Sequence, residues 1–205
     1  MTEQQGRQQD RQRAGRLLLV GAGHAHLHLV REAGRLRAAG YAVTLVAPRW
    51  FRYSGSASAV AAGDLPAERS RIDVAALARR HGVHHVVDRV ADLDPVGRVA
   101  VTEAGERVDF DVVSLNVGSA VSSPWGTTPR VLAVKPLDAL VELPALLAPL
   151  GPHARVTVVG GGASGLELAA QLAVDVRVRL MESGPSLAPR LPPRALRRVE
   201  RLLAE

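Results

Sequence analysis

The residues of this chain whose types and spacing best suit chemistry are Gly21-Ala22-Gly23-His24-Ala25-His26 and Gly160-Gly161-Gly162-Ala163-Ser164-Gly165. Each set follows an apolar run that reads as a β-strand, Leu17 to Val20 and Val156 to Val159. In such a turn the first glycine permits the sharp bend out of the strand, and the second lets the backbone approach a pyrophosphate. The phosphate then rests on the free N–H groups that open the next helix. One turn of this kind is a common accident. Two of them, 139 positions apart (160 − 21), point to two nucleotide-binding units, and a protein with two dinucleotides usually moves electrons between them.

The two turns differ. In the first, His26 stands where the fingerprint has its third glycine, the one that allows close helix–strand packing, so a wider local spacing is expected. The following strand ends Val46-Ala47-Pro48, without the acid that would bind an adenosine ribose; Arg49 can reach a phosphate or ribose instead. The second turn keeps all three glycines, and Glu182 lies 22 positions after Gly160. A carboxylate there accepts bonds from the ribose 2′- and 3′-hydroxyls and repels a 2′-phosphate, which favours NADH over NADPH. Strand alternation turns Arg177 and Arg179 outward.

His24, His26 and His28 also invite a metal reading, as in a hydrolase. On a helix, i and i+4 share a face and i+2 does not, so only His24 and His28 could chelate together. No further acid–His set supports a closed site, and no metal is expected. His81, His84 and His85 read as helix-end and strand-start residues.

The elements that must position these groups follow from periodicity. The first unit reads as strand 16–20, turn, helix 24–39 capped by Gly40, and strand 42–46. A loop over 47–66 gathers Trp50, Phe51 and Tyr53, as a cap over the core or as a surface for a flat ring. Ser70 is expected to N-cap a helix through Arg80, followed by a strand over Val83 to Val90. An antiparallel meander is expected over 96–101 and 107–110, then a buried strand 112–117 ending in Gly118-Ser119. Residues 122–129 are turn-rich. The second unit repeats the plan with strand 155–159, helix 163–173, strand 176–181 and a last helix 194–203.

The fold class expected is α/β: a Rossmann-like parallel sheet with a small antiparallel meander, then an incomplete second Rossmann-like unit. The expected division is a disordered tail 1–15, a first domain 16–135, a linker 136–152 and a second domain 153–205. A mononucleotide-binding half needs three parallel strands and the second unit shows two, so the chain reads as a truncated portion of a longer architecture.

Composition excludes several classes. There is no cysteine among the 205 residues, hence no redox-active disulfide, thiolate nucleophile or cysteine-ligated cluster within this chain. The net charge of +6 comes mostly from scattered arginines, Lys135 being the only lysine, and aromatics are 3%, so nucleic acid is not an expected partner. No uncharged apolar stretch reaches the roughly 18 residues that span a bilayer. The composition fits the cytoplasm and leaves peripheral membrane association open.

Taken in order, Val20 to His28, Val43 to Val46, Arg49 to Gly55, Asp111 to Ser119 and Gly160 to Ala169 resemble the FAD-dependent pyridine nucleotide-disulfide oxidoreductase superfamily. The closest branch holds type II NADH dehydrogenase-like proteins, including the flavoprotein part fused to selenide, water dikinase. There GGGHAHLH and a YSG loop are typical; Asp111 to Ser119 matches the DxLxxATGS strand, and Gly160 to Ala169 the GGGxxGxELA motif. The resemblance implies FAD at Gly21, Gly23, His24, Ala25, His26 and Arg49, with Gly118 and Ser119 nearby. It implies NAD(H) at Gly160, Gly162, Gly165, Glu167 and Glu182, with Glu167 close to the nicotinamide or else a solvated helix charge. Tyr53, Ser54 and Gly55 would face the isoalloxazine. The TGxxGxxFAxGD segment and C-terminal interface domain of such families are not found in the sequence, nor is the cysteine pair of the disulfide reductases.

The expected function is therefore an FAD-dependent NAD(P)H oxidoreductase, or a truncated N-terminal portion of one. It would pass hydride from NADH to flavin and on to a small-molecule acceptor such as a quinone. The alternatives are a non-catalytic nucleotide-binding remnant and a His-cluster metal hydrolase. Weak flavin retention, low activity and self-association through Leu196, Val199, Leu202 and Leu203 are expected of the truncated form.

Overall fold

Gly15 to Val20 forms β1, an apolar strand whose Leu18 and Leu19 are fully buried. It pairs in parallel with β2 (Tyr41–Val46) on one side and β9 (Val112–Leu115) on the other; β5 (His84–Val86) lies beyond β2. The resulting order β5-β2-β1-β9 is that of a doubly wound sheet. The computed structural model describes residues 15–122, 128, 130–188 and 191–204. The expected tail lies outside these residues up to Ala14, whereas Gly15 already belongs to β1; most of 122–129 is outside them too.

Contacts divide the chain into two units, one made of residues up to 51 plus 71–119 and the other of 52–70 plus 120–205. This differs from the division expected at 136–152. The 52–70 segment packs with the second unit, and the connector over 136–152, expected to be helical and interrupted by proline, belongs to that unit too and holds α5 (Asp138–Leu147) with Pro144 inside it.

In the first unit one sheet face is covered by α1 (His24–Arg31), α2 (Ala33–Ala38) and α4 (Val74–Arg80). Leu19, Leu27, Val30, Val43, Leu45 and Val74 form that core layer. A three-stranded antiparallel sheet of β6 (Val90–Asp94), β7 (Val99–Thr102) and β8 (Arg107–Asp109) packs through Ala100 and neighbours with Leu18, Val20, Val46 and Val86. The single helix expected over 24–39 is two: Glu32, at φ −88° and ψ 8°, leaves the helical well beside Gly34, a weak helix former.

The loop expected over 47–66 contains β3 (Trp50–Arg52), a 3-10 turn (Ser54–Ser56) and α3 (Ala57–Ala62). Ser70 is not a helix cap. Its buried hydroxyl donates to the Ala67 carbonyl at 2.7 Å, which closes its own turn, and the chain continues as β4 (Arg71–Asp73). Asp73 caps α4 instead, Oδ1 accepting from the Ala76 N–H at 2.9 Å. That bond first, and the Arg49 guanidinium second, hold the Asp73 carboxyl below the usual carboxylate range. The strand expected to be buried over 112–117 is shorter and lies at one end of the sheet order, with Val112, Leu115 and Val117 exposed.

The second unit sets β10 (Arg155–Val159) parallel to β11 (Arg177–Met181), with α6 (Ala163–Leu172) connecting them. Val158, Leu168, Ala169 and Leu172 bury with Ala61 of α3 and Leu140 and Leu143 of α5. Arg177 and Arg179 are exposed and alternate with half-buried Val178 and Leu180. The last helix is α7 (Pro193–Ala204). No helix among the described residues is long and apolar enough to cross a membrane.

Candidate functional site: two glycine turns on parallel strands

The order β5-β2-β1-β9 reverses between β1 and β9, and in open α/β sheets ligands bind outside the carboxyl ends of the strands at that switch point. The first turn leaves β1 there. Gly21 has φ +84°, which an L side chain resists, and its N–H donates to the Val46 carbonyl at 2.8 Å. Gly23 caps α1 without a side-chain bond, and no acidic residue occupies the first helical turn. No acidic side chain of the first helical turn competes for the opening N–H groups of α1, as a phosphate requires.

His26 takes the third-glycine position differently from expectation. Its ring is 1% exposed and packs inward, with Nδ1 2.7 Å from the Gly21 carbonyl and Nε2 2.9 Å from Ser114 Oγ on β9. A carbonyl can only accept, so Nδ1 carries the proton, and in the neutral ring Nε2 accepts from the serine hydroxyl. The buried imidazole ties the turn to β9. His26 therefore acts on the turn's shape through its buried ring. We expect His26→Ala to destabilise the protein by about 2–4 kcal/mol, through a cavity and an orphaned carbonyl, and Ser114→Ala by about 1 kcal/mol. Urea unfolding checks this; an unchanged midpoint for His26→Ala would contradict it.

β9, the strand beside β1, and the residue just past it supply two groups that sequence reasoning missed, Ser114 and Asn116. Asn116 accepts at its carbonyl from the Gly23 N–H (3.2 Å) and donates its own N–H to Val20 (2.9 Å). Its side-chain amide lies against Gly23, where an added Cβ would overlap Oδ1. The signal was available: Ser114 interrupts an apolar strand, and Asn116 stands where the matched motif has alanine. Gly118, at φ +80°, and exposed Ser119 follow β9 at the same sheet edge. Asp111 anchors the start of that strand to β1 through Arg16, at 2.8 Å to its N–H and 3.0 Å to Nη2.

Arg49 is engaged. Its Nη2 lies 3.0 Å from Asp73 and its guanidinium 4.9 Å from the Trp50 ring centroid. Arg71 faces the same ring at 4.3 Å. Of the three aromatics in this segment, Phe51 meets the edge of His24 at 5.0 Å.

In the second turn Gly160 has φ +107° and donates to the Met181 carbonyl at 2.8 Å. Gly162 caps α6, has open space beside its Cα, and precedes a first turn without acids. Gly165 packs against the Gly160 carbonyl so closely that a Cβ would overlap it. This is the close approach the third glycine exists to allow. Glu182 Oε2 accepts from the Gly161 N–H at 2.6 Å, and Oε1 from the Gly184 N–H at 2.9 Å. These two bonds, Gly184 foremost, hold the carboxyl below the usual range, so it is ionised across neutral pH.

Glu167 is exposed on α6 and accepts from Ser58 Oγ of α3 at 2.7 Å; one turn later Gln171 donates to Asp64. Tyr53, Ser54 and Gly55 also lie in this second unit. The Tyr53 ring covers Gly55, 2.7 Å from where a Cβ would stand, and the Tyr53 N–H donates to Ser70 at 2.7 Å. Among the described residues no group of three or more His, Asp or Glu is placed to hold a metal.

The residues present fit two dinucleotides: each unit offers a parallel strand, a positive-φ glycine, and a glycine-capped helix of eight residues or more. The family described as pyridine nucleotide-disulphide oxidoreductase matches residues 15–205. The probable ferredoxin reductase CtmF of Castellaniella defragrans is 28% identical over 160 residues, covering 77% of this chain and 39% of its own length. The sulfide:quinone oxidoreductase of Aquifex aeolicus superposes with TM-score 0.74 at 18% identity, over 93% of this chain and 49% of that one. The ferredoxin reductase for the CYP199A2 system of Rhodopseudomonas palustris gives 0.71 at 22%, over 92% and 48%. At such identities these structures establish the fold. The chain spans about half the length of the solved structures it matches, and less of the curated relative.

Proposed function

This chain belongs to the pyridine nucleotide-disulphide oxidoreductase family, and from that premise we propose that it binds FAD at the first glycine turn and NADH at the second, as an FAD-dependent oxidoreductase. The observation that carries the reading is the paired geometry: two parallel-strand turns, each opening onto a glycine-capped helix with no side-chain cap bond and no acid in its first turn. The chemistry that bound FAD and NADH supply is hydride transfer from nicotinamide to flavin and onward transfer to an acceptor.

The chain's own residues bind and orient. Gly21, Gly23 and the first N–H groups of α1 hold the FAD pyrophosphate, with Gly118 and Ser119 at the same edge. His26 and Ser114 keep that turn in shape. Gly160, Gly162 and α6 hold the NADH pyrophosphate, and Glu182 takes the adenosine ribose. Within the second unit Glu167 fixes Ser58, just past Tyr53, Ser54 and Gly55. With no cysteine in the chain, the acceptor is not reduced through a protein dithiol here. A soluble iron–sulfur protein or a quinone suits the relatives' printed names.

The test is anaerobic titration of the FAD-reconstituted protein with NADH. Bleaching of the yellow flavin band by NADH, and more slowly by NADPH, is the expected result. Flavin that binds but is not bleached would favour the non-catalytic nucleotide-binding alternative; flavin that does not bind would overturn the assignment of the first turn.

A further inference from the structure

Within the first unit, α1 and α4 leave an open groove of about 510 Å³ on their outer side. Its lining is apolar at buried Leu27, half-buried Leu77 and exposed Ile72, and basic at His28 and Arg31 of α1 and at Arg80 and His81 at the end of α4, with His24 beside them. No carboxylate lines it. Arg31 ends α1 and Arg80 ends α4, and neither makes an ion pair or side-chain hydrogen bond among the described residues. By contrast Arg16, Arg35, Arg49 and Arg52 each meet a carboxylate within 3.2 Å.

Basic residues in last helical turns complement the helix dipole, and that explains part of this pattern. It does not exhaust it. Each helix C-terminus carries about half a negative charge, so two guanidinium groups leave the groove's end with a net positive field before the histidines are counted. His24, at the opening of α1, also lines the groove, but the turn glycines do not, and Arg31 and Arg80 stand at the opposite ends of their helices from the helix openings. Its volume falls within the roughly 300–1,000 Å³ of small-molecule sites.

We propose that this groove is a separate binding site for an organic anion. A single carboxylate, sulfonate or phosphate head sits between Arg31 and Arg80, and a compact apolar body lies on Leu27, Ile72 and Leu77. Guanidinium groups suit such heads because their forked donors match two acceptor oxygens.

Fluorescence titration of the full chain with 1-anilinonaphthalene-8-sulfonate, a sulfonate on an apolar ring system, tests this. One saturable site is expected. Arg31→Glu with Arg80→Glu should weaken it by about tenfold or more, while Arg31→Lys with Arg80→Lys should weaken it less. Ile72→Asp should also weaken it, and decanoate should displace the dye far better than inorganic phosphate does. FAD and NADH binding and the unfolding midpoint should be unchanged in the two arginine pairs, which separates this site from the proposed function. If the Glu pair fails to fold, Arg31→Gln with Arg80→Gln takes its place with the same expected loss. Equal dye binding by wild type and the charge-altered pairs, or binding that never saturates, would overturn the proposal.

Discussion

Replacing Gly21 with alanine is expected to abolish flavin retention and to lower stability by several kcal/mol, and no second substitution should repair it. Two costs add. At φ +84° an L residue loses about 1–2 kcal/mol against the left-handed backbone. The new Cβ would also stand 2.8 Å from the carbonyl carbon of Asn116 and from the Cα of Val117, atoms of the backbone that cannot rotate away. Gly23→Ala is different. Gly23 has φ −62°, an ordinary value, and its Cβ would meet only the Asn116 side chain. Removing that amide makes room, so Gly23→Ala with Asn116→Ala should recover most of the stability lost by Gly23→Ala alone. Unfolding midpoints of the two single variants and the pair form a double-mutant cycle. A pair no more stable than Gly23→Ala would show that Asn116 is not what this glycine avoids.

That contrast also marks how far the sequence could be read. Both turns, their strands and their helices were legible, because apolar runs flanking glycine at fixed spacing leave few alternatives. The parallel order around β1 followed from the repeated strand–turn–helix pattern. What escaped was tertiary. Ser114 and Asn116 lie about 90 residues from the turn they shape, and only pairing of β1 with β9 brings them there.

His26 was legible as a departure from the fingerprint, but not the direction its ring takes, since burial between α1 and β9 decides that. The segment 47–66 failed for a related reason. Its short elements bury little within themselves, and α3 exists because Val60 and Ala61 find cover among residues of α5 and α6, far along the chain. Ser70 was the cap expected from the sequence, three residues before the one that caps α4. Ser70 was already committed to Ala67, so the choice fell to Asp73.

Glu182 carries the second large effect. Its carboxylate closes the Gly160 turn through the Gly161 and Gly184 N–H groups and, in the proposed complex, accepts the ribose hydroxyls of NADH. Glu182→Ala removes both roles, so NADH affinity should fall by about ten- to a hundredfold and the preference over NADPH should nearly vanish. Glu182→Gln separates the roles. The amide oxygen still accepts from a backbone N–H, but the charge that repels a 2′-phosphate is gone, so NADPH should gain while the turn persists.

The pH dependence has a definite sign. The folded carboxyl sits below its unfolded value, because the two N–H groups favour the charged form. The stability it contributes is therefore fully present above the unfolded value of about 4.3 and is lost only as pH falls through the lower folded value. Glu182 therefore stays charged from neutral pH down to the onset of acid unfolding, and the NADPH-to-NADH ratio of dissociation constants should fall over that range only as the 2′-phosphate takes up its second proton at about pH 6. Equal affinities for the two nucleotides in the wild-type protein, or a ratio that Glu182→Gln leaves unchanged, would mean that another group reads the ribose.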